Sequence, residues 1–346
     1  MVITAVLIVK NEAQVIARCL KSLIDKVDFV CICDTGSTDD TLEVIADTLR
    51  LAQHAVWQAP WHNDYSQARN ANMARALTLF PDTDLFLHID ADEELIGELP
   101  VDEALQRTGH RIQVKMPQGN TFPRAFLSPP AARFTGRFHE LLELPLSPIL
   151  SNCYLMSHAD GARAKDPSTQ ANDLKLIEDL LAENPKDIRL MVQMGQAYEA
   201  NCLFKDAEFH YNEAIGPSHH GRYAAYRKAV TQHIQGKDYM PALLAAVDMG
   251  HSAAVLCLAH LWNDLELHHL ALTILGSISQ DPEELMGAQT WQIIDEESVA
   301  WAGVGSLFNA KMRCMALLKR KDVPPEELPR IQGNLEKLLE LQNAKI

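Results

Sequence analysis

The sequence holds little that would attract a polyanion. Thirty-one lysines and arginines stand against forty-six aspartates and glutamates, which leaves a net charge of −15 and a pI near 5.3, and the basic residues form no cluster. Proteins that grip nucleic acid or an anionic membrane carry a basic face, so no nucleic-acid partner is expected. A CxxC pair is also missing. The seven cysteines are scattered and odd in number, which disfavours a zinc site or disulfide framework and fits a reducing compartment, so a cytoplasmic location is expected. Long hydrophobic runs are absent too. The apolar start, Val2 to Val9, is far shorter than the roughly 20 residues a span needs, and no basic segment precedes it, so neither signal peptide nor membrane span is expected. What is there, 346 residues with 47% hydrophobic side chains, suffices for two packed domains.

The first half alternates apolar runs with helical periodicity. Val2 to Val9 is rich in β-branched residues and reads as a strand buried on both faces. Asn11 is placed to cap a helix whose apolar face is Val15, Ile16, Cys19, Leu20, Leu23 and Ile24. Asp28 to Asp34 is a second strand, ending in Asp34-Thr35-Gly36-Ser37-Thr38-Asp39-Asp40-Thr41 before a helix through Leu42, Ile45, Ala46 and Leu49. That loop suits ligand binding at the carboxyl edge of a parallel sheet, though ordinary helix capping asks for the same residues. Gln53 to Trp57 is a short third strand, followed by a turn at Pro60 to Asp64 and a helix through Arg69, Asn70, Met73 and Leu77. The fourth strand, within Asp84 to Glu94, ends in four acids. Alternation along an extended segment would point Asp90 and Asp92 to one side, where they would hold Mg²⁺ or Mn²⁺ against a diphosphate. The plainer alternative is an acidic helix cap. A βαβαβαβ order with short loops predicts an α/β fold with a mostly parallel sheet flanked by helices.

Four motifs occur in order: Val9-Lys10-Asn11-Glu12, Asp34-Thr35-Gly36-Ser37-Thr38-Asp39, Trp61-His62-Asn63-Asp64-Tyr65 with Ala68-Arg69-Asn70, and Asp90-Ala91-Asp92-Glu93. Together they resemble the family 2 glycosyltransferases of the GT-A fold, over about the first 160 residues. The resemblance implies an inverting transferase that uses a nucleotide diphosphate sugar, usually a UDP-sugar, with Mn²⁺ or Mg²⁺ as cofactor. It places Val9, Lys10 and Glu12 along the nucleoside pocket, Asp34 against the uracil, and Arg69 and Asp64 near the nucleotide. Asp90 with Ala91 falls by the ribose, and Asp92 at the metal that bridges the phosphates. A cation there would stabilise charge on the leaving diphosphate.

From Asp102 to Tyr154 prolines break the pattern, and His110 to Met116 and Asn120 to Leu127 read as two antiparallel strands. Arg133 to Glu140 is similar to a Gly-x-x-His-Glu segment of a bacterial branch of the family, in which His139 would complete the metal shell. An inverting displacement needs a base near the acceptor. Glu140 is taken for that role, with Glu93, Glu94 and Glu143 as rivals. His139 as a structural histidine, and Glu140 as a solvated charge, are the plainer readings. Arg124 and Arg133 are candidate phosphate partners or surface ion pairs.

Composition shifts after Gly161, so the domains are read as 1–161 and 162–346. In the second, Met194, Gly195, Tyr198, Ala207, Tyr211 and Ala214 fall at tetratricopeptide spacings, with Met191 departing from the large residue expected first. A weaker copy follows 35 residues on, relating Asn201 and Ala207 to Gly236 and Ala242. The chain stays helical in character from Pro282 to Ile346. Such helices would bind a protein partner, self-associate or brace the first domain. His219-His220 and His268-His269 lack the further ligands a metal needs.

The leading expectation is metal-dependent, inverting transfer of a hexose or N-acetylhexosamine from a UDP-sugar donor to a glycan or a peptide or protein acceptor. A nucleotidyltransferase would want a Gly-rich basic loop after the first strand, and Lys10-Asn11-Glu12 supplies none. A scaffold built on the helices, with an inactive nucleotide-binding domain, is the alternative from another class.

Overall fold

The computed structural model describes all residues but 51, 100–108, 118–120, 144–148, 279–287, 321 and 344–346, and strand residues 121–126, 143, 149 and 151 by backbone alone. It divides into two compact units, Met1–Asn172 and Asp173–Ile346.

In the first unit, strands β1 (Ile3–Val9), β2 (Phe29–Asp34), β3 (His54–Gln58) and β4 (Leu85–His88) are joined by helices α1 (Ile16–Leu23), α2 (Thr41–Thr48) and α3 (Tyr65–Leu79). The four strands run parallel in the order β3-β2-β1-β4, with Val6 beside both Cys31 and His88 and Val9 beside Asp34. Alternate side chains leave β1 on opposite faces, and each face has its own core. Ile3, Leu7 and Val9 pack under Ile16, Leu20 and Leu23 of α1, whereas Val6 meets Cys31, Phe86, Met73 and Ala76 of α3 on the other side. Burial on both faces explains the unbroken apolar run of β1.

Beyond β4 the sheet becomes mixed, adding β5 (Glu93–Gly97), β6 (His110–Lys115), β7 (Thr121–Ser128) and β10 (Ile149–Ser157) in the order β4-β7-β6-β10-β5. β6 and β7 are antiparallel, as their sequence suggests, while β10 lies parallel to β6 and antiparallel to β5. A two-stranded ribbon, β8 (Arg133–Thr135) with β9 (Leu141–Glu143), sits against α3. Asn70 secures it, donating to the Phe134 carbonyl at 2.8 Å and accepting from the Phe134 amide at 2.9 Å.

Two local readings need correction. Asn11 does not cap α1, which begins at Ile16 with Val15 at its N-cap position. Asn11 sits at φ 57°, and its side-chain oxygen accepts from the Thr38 amide at 2.7 Å instead. β4 stops at His88, so strand alternation does not orient Asp90 and Asp92. They lie in a turn closed by the Glu93 amide on the Asp90 carbonyl at 3.1 Å and by the Asp90 amide on Glu93 Oε2 at 3.0 Å.

After the sheet come α4 (Ala162–Lys165) and α5 (Thr169–Glu183), and then α6 (Ile188–Ala200), α7 (Phe204–Ala214), α8 (His219–Ile234), α9 (Met240–Asp248), α10 (Ser252–Asp264), α11 (His268–Leu275), α12 (Thr290–Gly303), α13 (Leu307–Leu317) and α14 (Leu328–Asn343). Successive helices pack as pairs. The small residue of the first repeat does what its spacing implies: Gly195 of α6 lets the buried Tyr211 ring of α7 approach, and a Cβ there would lie 2.6 Å from Tyr211 Cε1. Because a buried ring cannot bend aside, Gly195→Ala should cost about 1–3 kcal/mol in urea unfolding. An unchanged unfolding midpoint would show that the pair is free to spread.

The second copy is looser: Gly236 follows α8 at φ 66° and Ala242 lies in α9. Nothing is described for 279–287, so the expectation of helix from Pro282 lies partly outside the described residues. Among the described residues no helix is long and apolar enough to cross a membrane.

His251, fully buried between α9 and α10, gives this unit a pH dependence. Burial, with His219 and Arg222 nearby, pushes its pKa down to about 4. Its ring stacks on Tyr226 at 4.6 Å, and Nδ1 accepts the Ala254 amide at 3.3 Å, a cap that protonation destroys. The unfolded chain takes up this proton near pH 6.5 and the folded chain only near 4, so stability is full above 6.5 and falls as pH drops across that window. Its share is about 3 kcal/mol at most. His251→Asn keeps a capping side chain and cannot titrate, so the urea midpoints of the two proteins should converge between pH 7.5 and 5. Parallel curves would contradict this.

Candidate active site

The carboxyl ends of β1, β2 and β4 bring three loops to one sheet edge. The first two are stitched together: the Asn11 amide donates to Ser37 Oγ at 2.9 Å, the Glu12 amide to Thr41 Oγ1 at 2.8 Å, and the Thr35 amide to the Val9 carbonyl at 2.9 Å. Asp34 is fully buried and orders its own loop, accepting from the Ser37 amide at 3.1 Å and from Gln58 Nε2 at 3.2 Å. Lys10 is exposed, and Val9 is part of the core. Asp64 caps α3 by accepting the Gln67 amide at 2.8 Å. That role is structural.

α3 then delivers Arg69, buried in spite of its charge. The guanidinium spans two carboxylates, Nη2 to Asp90 Oδ1 at 2.9 Å and Nε to Glu140 Oε1 at 2.5 Å. Burial disfavours its charge, yet Asp90 and Glu140 outweigh that and hold its pKa above the ordinary value. One helix turn on, Asn72 fixes α3 to the sheet, donating to the Leu7 carbonyl at 2.8 Å and accepting from Trp57 Nε1 at 2.8 Å. Sequence reasoning missed it. Two asparagines in mid-helix, where asparagine is a poor helix former, were the available signal.

The segment after β10 was read only as the place where the composition shifts, and no site residue was expected in it. His158 Nε2 lies 2.6 Å from Glu94 Oε2, and Asp160 forms a two-pronged pair with Arg18 at 2.6 and 3.0 Å. Glu12 Oε2 accepts the Ala162 amide at 3.0 Å, at the N-terminus of α4. Gly161 passes so close that a Cβ would lie 3.2 Å from Glu12 Oε2 and 3.5 Å from Asp92 Cβ. Arg163 bonds to the Tyr65 hydroxyl and lies over the Tyr65 and Phe138 rings. These residues are too few and too irregular to show periodicity.

Glu12, Asp90 and Asp92 therefore share one edge. Burial raises the pKa of Asp92, and the Asp90 charge adds to this. Glu12 is raised by burial, against the Ala162 amide, and further by Asp92 and Asp90. No group of three or more His, Cys, Asp or Glu side chains among the described residues is arranged to hold a metal unaided. Ala91 is buried in the turn. His139 sits at φ 47°, its ring edge-on to Phe138 at 4.2 Å. The side chains of Arg124 and Glu143 lie outside the described residues, and Arg133 bonds to the carbonyls of Pro130 and Ala132.

Residues 4–152 match the glycosyl transferase family 2 model. A TPR repeat-containing protein of Synechococcus elongatus is 28% identical over 291 residues, covering 75% of this chain and 70% of its own length. An uncharacterized glycosyltransferase of Rickettsia felis is 41% identical over 97 residues, or 28% of this chain and 31% of the relative, so the chain spans under a third of that protein. The crystal structure of S. aureus TarS aligns at a TM-score of 0.40 and 12% identity, covering 73% of this chain and 56% of that one. Residues 4–152 of the first unit are thus similar to glycosyl transferase family 2, and tetratricopeptide-like helices follow them in the chain.

Proposed function

We propose that the chain transfers a hexose or N-acetylhexosamine, with inversion, from a UDP-sugar to a glycan or a peptide or protein acceptor, with Mn²⁺ or Mg²⁺ required. The observation that supports this reading is the gathering of Glu12, Asp90 and Asp92 at one loop edge, where burial and the neighbouring carboxylates raise the pKa of Glu12 and of Asp92. A bound divalent ion would neutralise the charge that grows on the departing diphosphate. Asp92 is the residue assigned to hold it, with His139 as its partner. Lys10 and Glu12 line the nucleoside side, and Asp34 keeps that wall in shape. Arg69 holds Asp90 in position and sets Glu140 beside it. Glu140 takes the acceptor proton, which an inverting displacement needs at a single carboxylate on the acceptor side.

Calorimetric titration of the whole chain with UDP, with and without Mn²⁺, tests the proposal. Binding that needs the metal and disappears in Asp92→Ala is the expected result. Equal affinity with and without metal would remove the cation from the reading, and no UDP binding under either condition would remove the donor as well.

A further inference from the structure

The second unit contains a cavity of about 420 Å³ among α8, α9, α10, α12 and α14. Its walls are mostly apolar and aromatic, supplied by Tyr226, Val230, Tyr239, Leu243, Leu256 and Trp291. That volume lies in the range of pockets that enclose a ligand group, and the apolar walls with a few polar groups have the usual make-up of such a site. Nothing in the transferase reading uses it.

The polar groups at its edge are largely committed. His260 Nδ1 lies 2.8 Å from Glu296 Oε1, and Asn263 Nδ2 donates to Glu296 Oε2 at 2.8 Å. Arg330 is the one arginine or lysine among the lining residues, and both Asp295, at 2.7 Å, and Glu327, at 2.7 Å, hold it. α8 carries Arg222, Arg227 and Lys228 and α14 carries Arg330 and Lys337, but the stretch between these helices is one-sided. From Asp238 to Ala310 there is no lysine or arginine, while ten aspartates and glutamates occur. Asp264, beside His260, leaves 66% of its side chain in solvent. An apolar hollow in such a field selects against anionic ligands and favours a cationic one.

We infer that this cavity is a docking site for a basic polypeptide segment, which inserts one large apolar side chain while its lysines or arginines face the base-free helices. The inference stands apart from sugar transfer, because every residue it uses belongs to the second unit.

A fluorescein-labelled, lysine-rich peptide with one central phenylalanine is the probe, titrated against the whole chain by fluorescence anisotropy. Saturable binding that weakens with added salt is expected, with a loss of about tenfold or more on replacing the phenylalanine by alanine. Val230→Trp, which fills the hollow from its wall, should cause a similar loss while the helical circular dichroism is kept. If that variant loses its helical signal, Leu256→Gln takes its place by making the wall polar. Equal binding by the filled variant or by the alanine peptide would overturn the inference, as would equal binding of a glutamate-rich counterpart or of a neutral apolar peptide. Absence of binding by the lysine-rich peptide would overturn it too.

Discussion

Arg69→Leu is expected to destabilise the first unit by about 3 kcal/mol, the low end of what breaking a buried ion pair costs. The leucine fills much of the same space, so the loss is electrostatic rather than a cavity. Asp90 and Glu140 would lose the guanidinium that joins them, Glu140 with only 12% of its side chain exposed. Asp90 is 36% exposed, and water will screen part of its charge, which is why the upper end of the range is not expected. Lysine should not rescue the site. A single ammonium cannot reproduce the separate Nε and Nη2 contacts to two carboxylates. Adding Glu140→Gln to Arg69→Leu should return part of the lost stability, because one of the stranded charges is gone. The urea midpoint of the first unit measures all three variants. A change in Arg69→Leu below about 0.5 kcal/mol would mean that the two carboxylates find solvent on their own.

Much of this unit was legible because its signals are local and repeated. β1 shows an unbroken apolar run since both its faces are covered, and α1 shows its buried stripe at Ile16, Cys19, Leu20 and Leu23 since only one face is. Ile24, read as part of that stripe, is 38% exposed, because the helix ends at Leu23 and the chain turns away. The third strand is offset by one residue, His54–Gln58 against Gln53 to Trp57, as suits an edge strand with little burial to mark its ends.

The site was less legible for a different reason. Side chains assigned to ligands also do structural work: Asp34 orders a loop, Asp64 caps α3, and Arg69 bridges Asp90 and Glu140. A sequence motif gives the residue type, and these tasks demand the same types. The return of the Gly161 segment to Glu12 joins positions about 150 residues apart in the chain, as the Ala162 to Glu12 bond records. No periodicity encodes such a contact. In the helical unit the reverse holds, since the Gly195 to Tyr211 approach lies within one repeat and its spacing reveals it.

Asp92→Asn should separate stability from turnover. The carboxyl of Asp92 is held above its ordinary pKa, first by burial and then by Asp90. A carboxyl shifted in that direction contributes stability below its unfolded pKa, and loses it as pH rises through the folded one. At neutral pH the ionised group therefore strains the fold. Asparagine removes the charge and keeps an oxygen for the Gly161 amide, so the melting temperature at pH 7 should rise above that of the parent. The gap should narrow as pH falls and the parent carboxyl takes up its own proton. Mn²⁺ with UDP should raise the melting point of the parent and leave the variant unmoved, since the charge that would hold the ion is gone. Sugar transfer should fall by about a hundredfold or more, the scale of removing a group that stabilises developing charge. A variant that is both less stable at pH 7 and fully active would assign Asp92 to the framework of the turn, and the cation would then have to be sought at Glu12 and Asp90.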